Sequence, residues 1–209
     1  MDNERDYCKR LKLAEHTTDL VQIDVVDGLF AKSKTVGVDV IRNNPSSSRL
    51  EIQLMVVSPK NYIDNLVDLD FVSRIIFPFE IEDDIFDLIY RVKRGNKDVG
   101  LSLNMETDIT DVLPFVDNIN LLLLLTGKPG YSGQQLGINT YDRIKQAKDL
   151  MPSIALEIDI GVNFENASKL AHAGADFLVA SSILFKAEDF HIAYNKLAAL
   201  AKVKDNKKA

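Results

Sequence analysis

Short apolar runs recur along the chain at Leu20–Val26, Leu50–Val57, Arg74–Phe79, Val99–Asn104, Asn120–Thr126, Ile154–Ile160 and Phe177–Ser182. They are near-continuous rather than alternating, the pattern of strands covered on both faces, and helix-like segments separate them. Strands alternating with helices predict an α/β fold with a parallel sheet. The chain opens on a helix-like stretch, Glu4–Glu15. Ser58-Pro59 predicts a helix start, with serine capping and proline in the first helical position of a segment ending near Val67. Asn139–Leu150 closes before Pro152, and Asn163–Ala173 stops at Gly174. Asn43 to Ser48 is a loop and no linker breaks the rhythm, so residues 1–209 form a single domain. Seven strands suit either an open doubly wound sheet or an eight-stranded barrel, and periodicity alone does not choose. A barrel would leave one strand unaccounted for, because the first element is a helix.

Composition narrows the function classes. With 209 residues, 46% of them hydrophobic, the chain can bury one sizeable core. Its 25 Lys and Arg against 31 Asp and Glu give a net charge of -6, with basic residues scattered except in the tail from Lys202 to Ala209. This argues against a nucleic-acid partner, and the tail reads as a solvated end. The single cysteine, Cys8, excludes an internal disulfide and a Cys-based zinc cluster, so a reducing, cytoplasmic location is expected. The longest apolar run, Leu121 to Leu125, falls far short of the roughly 20 residues a bilayer span needs, so no membrane partner is expected.

In either architecture ligands bind at the carboxyl ends of the strands, which here carry Asp24, Asp27, Gln53, Glu80, Asn104, Thr126, Asp159 and Ser181-Ser182. A carboxylate in an apolar strand is costly unless paired, hydrogen-bonded or metal-bound, which singles out Asp24 and Asp27 in "VQIDVVDGLF". Asp24 and Asp159, on opposite strands, could serve as an acid and base pair, or each could simply accept hydrogen bonds from loop backbone. The turn from Thr126 to Gln134 is rich in glycine, and small residues also follow the next strands at Asp159-Ile-Gly161 and Ala180-Ser-Ser182. Together these loops could cradle a phosphate, although the first is not a Walker loop. The histidines, His16, His172 and His191, have no ligand spacing, and His172 is expected on the outer face of a helix.

Several segments resemble the ribulose-phosphate 3-epimerase family, a group of TIM barrels. "QIDVVDGLF" is similar to its H-x-D-x-M-D-G-x-F, "EIQLMVVSPKNYI" to D-x-H-L-M-V-x-x-P-x-x-Y-I, and "KPGYSGQ" to P-G-F-G-G-Q. "LEIDIGVNFENASKLAHAGADFLVASSILF" is similar to the run V-D-G-G-I-N and A-G-A-D-x-x-V-A-G-S-x-I-F. The resemblance implies a (β/α)8-type barrel that epimerises C3 of a pentulose 5-phosphate through an enediolate, with Asp24 and Asp159 as acid and base. It implies a divalent metal (zinc, iron, manganese or cobalt) held by those aspartates and two histidines, whose positions here hold Gln22 and Gln53. It implies phosphate or substrate contacts from Gly130, Tyr131, Ser132, Gly133, Gly161, Ser181 and Ser182, and a turn-shaping role for Asp27 with Gly28.

The chain departs from the motif at Val26, Leu125, Ile160, Ser132 and Ser181, and the family's opening strand, P-S-I-L-S-x-D, is lacking or remodelled. The open edge left behind predicts cover by a partner in a homo-oligomer, by another chain, by a remodelled N-terminal segment or by upstream sequence. Two readings follow: an epimerase of phosphosugars with an altered metal site, and a catalytically degenerate barrel kept for phosphosugar binding, regulation or assembly.

Overall fold

The computed structural model describes residues 3–131 and 133–202. Its sheet has seven parallel strands in sequence order: β1 (Leu20–Val26), β2 (Arg49–Met55), β3 (Val72–Pro78), β4 (Asp98–Leu103), β5 (Leu121–Leu125), β6 (Ala155–Asp159) and β7 (Phe177–Leu178). A sheet with that order never reverses, which removes the doubly wound alternative. It curls instead, because side chains of β1 and β6, at positions one and six of the sheet, meet in its interior, where Gln22 lies 2.7 Å from Glu157. The fold is a (β/α)8-type barrel with one strand position unfilled among the described residues.

The helices are α1 (Glu4–Glu15), α2 (Val38–Asn43), α3 (Lys60–Leu66), α4 (Ile85–Arg94), α5 (Thr140–Leu150), α6 (Ala167–Ala173), α7 (Ser182–Phe185) and α8 (Phe190–Ala201), with a 3-10 helix over Ile109–Asn118. The pleat sends alternate strand residues in opposite directions. Leu122 and Leu124 of β5 join the core between sheet and helices, whereas Leu121, Leu123 and Leu125 pack inside the barrel with Ile76 and Ile160. Near-continuous apolar strands therefore do face two apolar layers, as the sequence predicts.

The ring of helices closes where the ring of strands does not. Arg10 of α1 stacks 5.1 Å over the Phe185 ring of α7, the His191 ring of α8 lies 2.6 Å from the Thr17 hydroxyl, and the Tyr194 hydroxyl donates to Thr18 at 3.0 Å. On the free edge of β1, Thr35 takes a neighbour's place: its hydroxyl accepts from the Val26 N–H at 2.9 Å and donates to the Asp24 carbonyl at 2.7 Å. An antiparallel bridge between Asp27 and Lys34 holds that segment back against the strand.

Some boundaries differ from expectation. Pro59 rather than Ser58 occupies the cap position of α3, with no side-chain cap bond, because its own helical φ of -67° continues straight into Lys60. Asn163 does not open α6; its carboxamide oxygen accepts from the N–H groups of Glu165 (2.8 Å) and Asn166 (3.2 Å), and this turn delays the helix to Ala167. The last strand stops at Leu178 instead of running to Ser182, since β7 has a partner on one side only and the chain turns into α7.

Candidate active site

Inward-facing positions two apart on β1, β2 and β6 build a polar column: Gln22 and Asp24, Glu51 and Gln53, Glu157 and Asp159. At its lower end Arg74 pairs with Glu51 and lies 5.3 Å from the Phe177 ring. Glu51, Gln53 and Glu157 are among the most buried polar side chains in the molecule. Burial pushes the Glu157 carboxyl well above the usual carboxylate range, with the charge of Glu51 adding to it.

The amides connect this floor to the aspartates. In the orientation set by their hydrogen-bonding neighbours, the Gln22 Nε2 donates to Glu157 Oε1 at 2.7 Å and Glu51 Oε1 at 3.2 Å. Gln53 Nε2 then donates to the Gln22 carbonyl at 2.5 Å, to Asp24 Oδ1 at 3.2 Å and to Asp159 Oδ2 at 3.3 Å. One N–H₂ group thus spans both aspartates. Burial raises the Asp24 carboxyl; Asp159 is pushed from 3.8 up to about 8, by burial first and then by the charge of Asp24. Two like-charged groups in one desolvated site resist double ionisation, so the pair holds a proton at neutral pH.

A divalent metal fits this donor set poorly. A cation needs lone pairs converging on it, and the group facing both carboxylates presents N–H hydrogens. Among the described residues, no three His, Cys, Asp or Glu side chains are grouped as ligands. His172 and His191 are exposed on α6 and α8, and His16 is exposed at the end of α1.

Asp27 stands apart from this column. It accepts from the N–H groups of Leu29 (2.7 Å), Phe30 (2.8 Å) and Val57 (2.9 Å), which lowers its carboxyl below the usual range, and it shapes the turn with Gly28 at φ +84°. Glu80 is spent on the loop after β4, accepting from Asn104 N–H at 2.8 Å.

The glycine- and serine-bearing loops gather beside Asp159. Gly133 lies near the Ser182 hydroxyl, and Gly161, at φ +81°, packs so closely on Leu136 that a methyl group there would come within 2.6 Å of its backbone nitrogen. Gly130 instead reaches across to Ser33 and Ala31, beyond β1. Tyr131 and Ser181 are exposed, and Ser132 lies outside the described residues. Thr126 ties the loops to the strand ends, its hydroxyl donating to the Asp159 carbonyl at 2.9 Å.

Sequence reasoning missed Glu51, Glu157 and Arg74. The signal was present: each glutamate lies two residues before a candidate residue, on the same face of its strand. It also missed that Ile160 adopts φ +77°, a left-handed conformation foreign to β-branched residues.

A model of the "Ribulose-phosphate 3 epimerase family" matches residues 2–185. A ribulose-phosphate 3-epimerase of Chlamydia pneumoniae is 30% identical over 185 residues, covering 85% of this chain and 80% of the relative. The enzyme of that name from Treponema pallidum is 31% identical over 184 residues, covering 83% and 82%. Among solved structures, 3-hexulose-6-phosphate synthase from Salmonella typhimurium superposes with a TM-score of 0.74 at 13% identity, covering 96% of this chain and 95% of that one. KGPDC from Streptococcus mutans in complex with D-R5P superposes at 0.76 and 10% identity, covering 96% and 93%. These two likenesses concern the fold. The family match spans nearly the whole described chain, and the protein belongs to the ribulose-phosphate 3-epimerase family.

Proposed function

We propose that this protein interconverts ribulose 5-phosphate and xylulose 5-phosphate by moving the proton at C3, with Asp24 and Asp159 as the acid and base. The observation that carries this reading is the pair itself, two half-buried carboxyls within 3.3 Å of one amide nitrogen and pushed up together. Family membership supplies the substrate. The C3–H bond is acidified by the C2 carbonyl. The ionised member of the pair removes that proton from one face, giving an enediolate, and the protonated member delivers a proton to the other face. In the reverse reaction the roles exchange.

The 5-phosphate lies at the loops after β5, β6 and β7, with Gly133, Gly161, Ser181 and Ser182 facing it. A cytoplasmic setting suits the lone Cys8 and a phosphorylated substrate.

The competing reading is a degenerate barrel that binds a phosphosugar without turning it over, favoured by the glutamines at the histidine positions. A coupled assay for xylulose 5-phosphate formation separates the two. Turnover is expected in the wild type and is lost by about 100-fold or more in Asp24→Asn and in Asp159→Asn. Binding of ribulose 5-phosphate without turnover would establish the degenerate barrel.

A further inference from the structure

We infer that the Gln53 side-chain amide occupies the place of the divalent cation, so that the aspartate pair is bridged by a neutral N–H₂ donor and the site is metal-free. This deepens the proposed function and rests on it only for the chemistry; the exclusion of metal stands or falls on its own.

The chain of contacts starts at the barrel floor, with residues the proton transfer does not touch. Glu51 is an anion held by Arg74, and both are shielded from water, at 2% and 12% side-chain exposure. One end of the Gln22 amide lies 3.2 Å from Glu51 Oε1 and 2.7 Å from Glu157 Oε1. An oxygen placed there would face an ionised carboxylate oxygen with no hydrogen between them, so that end is the N–H₂. The other end of Gln22 is then its carbonyl. Gln53 approaches that carbonyl at 2.5 Å, so the approaching atom is the Gln53 nitrogen, and the same nitrogen sits 3.2 Å from Asp24 and 3.3 Å from Asp159. Polarity is therefore passed up the column from the Glu51–Arg74 ion pair: floor anion, Gln22, Gln53, aspartates.

Reversing the chain to offer a Gln53 oxygen to a cation would keep the Gln22–Gln53 hydrogen bond, but it would set the Gln22 oxygen against the Arg74-paired Glu51 carboxylate and the Gln53 oxygen against whichever of Asp24 and Asp159 is ionised. An amide N–H₂ carries no lone pair for a metal, so Gln22 and Gln53 are positioning residues that hold the two carboxylates apart and hydrogen-bonded. Unlike a dication, the amide adds no charge, which leaves a proton as the means of relieving the repulsion between Asp24 and Asp159.

The test is metal uptake by the full chain, stripped with chelator and then titrated with zinc, manganese, iron(II) and cobalt(II), with cobalt d–d absorption as a spectroscopic check. The wild type is expected to take up no stoichiometric metal. Gln22→His with Gln53→His, which replaces the amide chain by two imidazoles beside the two carboxylates, is expected to bind one zinc ion about 100-fold more tightly or better. Stoichiometric uptake by the wild type overturns the inference, and so does uptake by neither protein, because the amides would then not be what excludes the metal. Circular dichroism on both proteins confirms the fold before titration. If metal behaves as expected but no xylulose 5-phosphate forms in the coupled assay, the proposed reaction fails while this inference holds.

Discussion

Asp159 ties stability to pH more strongly than any exposed charge does. In the unfolded chain its carboxyl titrates near 3.8, whereas in the folded protein it is raised to about 8 by burial and by Asp24. A raised folded value means that its stabilising contribution is complete in acid and is lost as pH rises through the folded value. Asp159→Asn, which cannot ionise, is therefore expected to melt above the wild type at about pH 8, with the difference shrinking to nothing by about pH 4. Thermal melts across that range check it, and a difference that grows toward acid would contradict the assignment. Ile160 makes a second test at this scale. Its left-handed backbone costs about 1–3 kcal/mol, which glycine would recover while losing the buried side chain. Ile160→Gly should thus destabilise by about 1–3 kcal/mol less than Ile158→Gly, whose side chain is also buried but lies in a regular strand. Denaturant titration of the two variants decides it.

Elements place these residues, and their joints carry their own tests. The inward face of β1, β2 and β6 repeats every second residue, so each strand contributes one carboxamide or glutamate below and one functional group above. Thr35 keeps β1 in register on its free edge. Thr35→Val leaves the Val26 N–H without an acceptor, an expected cost of about 1–3 kcal/mol. Hydrogen exchange should show it as faster exchange at Val26 than in the wild type; unchanged protection there would mean that the edge is held by other means. The loop after β6 depends on Gly161, where both φ +81° and the contact with Leu136 oppose any side chain. Gly161→Ala is expected to cost about 1–3 kcal/mol. Gly37, at φ -83° with nothing within 4 Å of an added methyl, should accept alanine for under about 1 kcal/mol. Paired urea titrations would expose a false reading if the two costs were equal.

At the scale of the whole molecule, seven strands close most of a barrel and helices α1 and α8 meet across the remaining gap. Much of this was legible in the sequence because a strand buried on both faces cannot hide its apolar run, as Leu121 to Leu125 shows. The helix starts were less legible: Asn163 carries the same capping chemistry whether it opens a helix or a turn, and only the packing of α6 decides. The last strand was overextended because apolar residues from Phe177 onward satisfy strand and loop alike, while the absent neighbour that ends the pairing is a property of the closed sheet. Asp24 and Asp159 stood out as charges in apolar strands, but the amide column between them depends on β1 and β6 meeting across the barrel, which no local pattern records.

In the proposed reaction two aspartates, bridged by an amide, exchange the C3 proton of a pentulose phosphate. The most direct measurement is deuterium incorporation at C3 of ribulose 5-phosphate in heavy water, followed by NMR with chelator present. Exchange by the wild type that falls by about 100-fold or more in both Asp24→Asn and Asp159→Asn is the expected result. Exchange that persists in both variants, or a folded wild type that exchanges nothing with or without added metal, would contradict it.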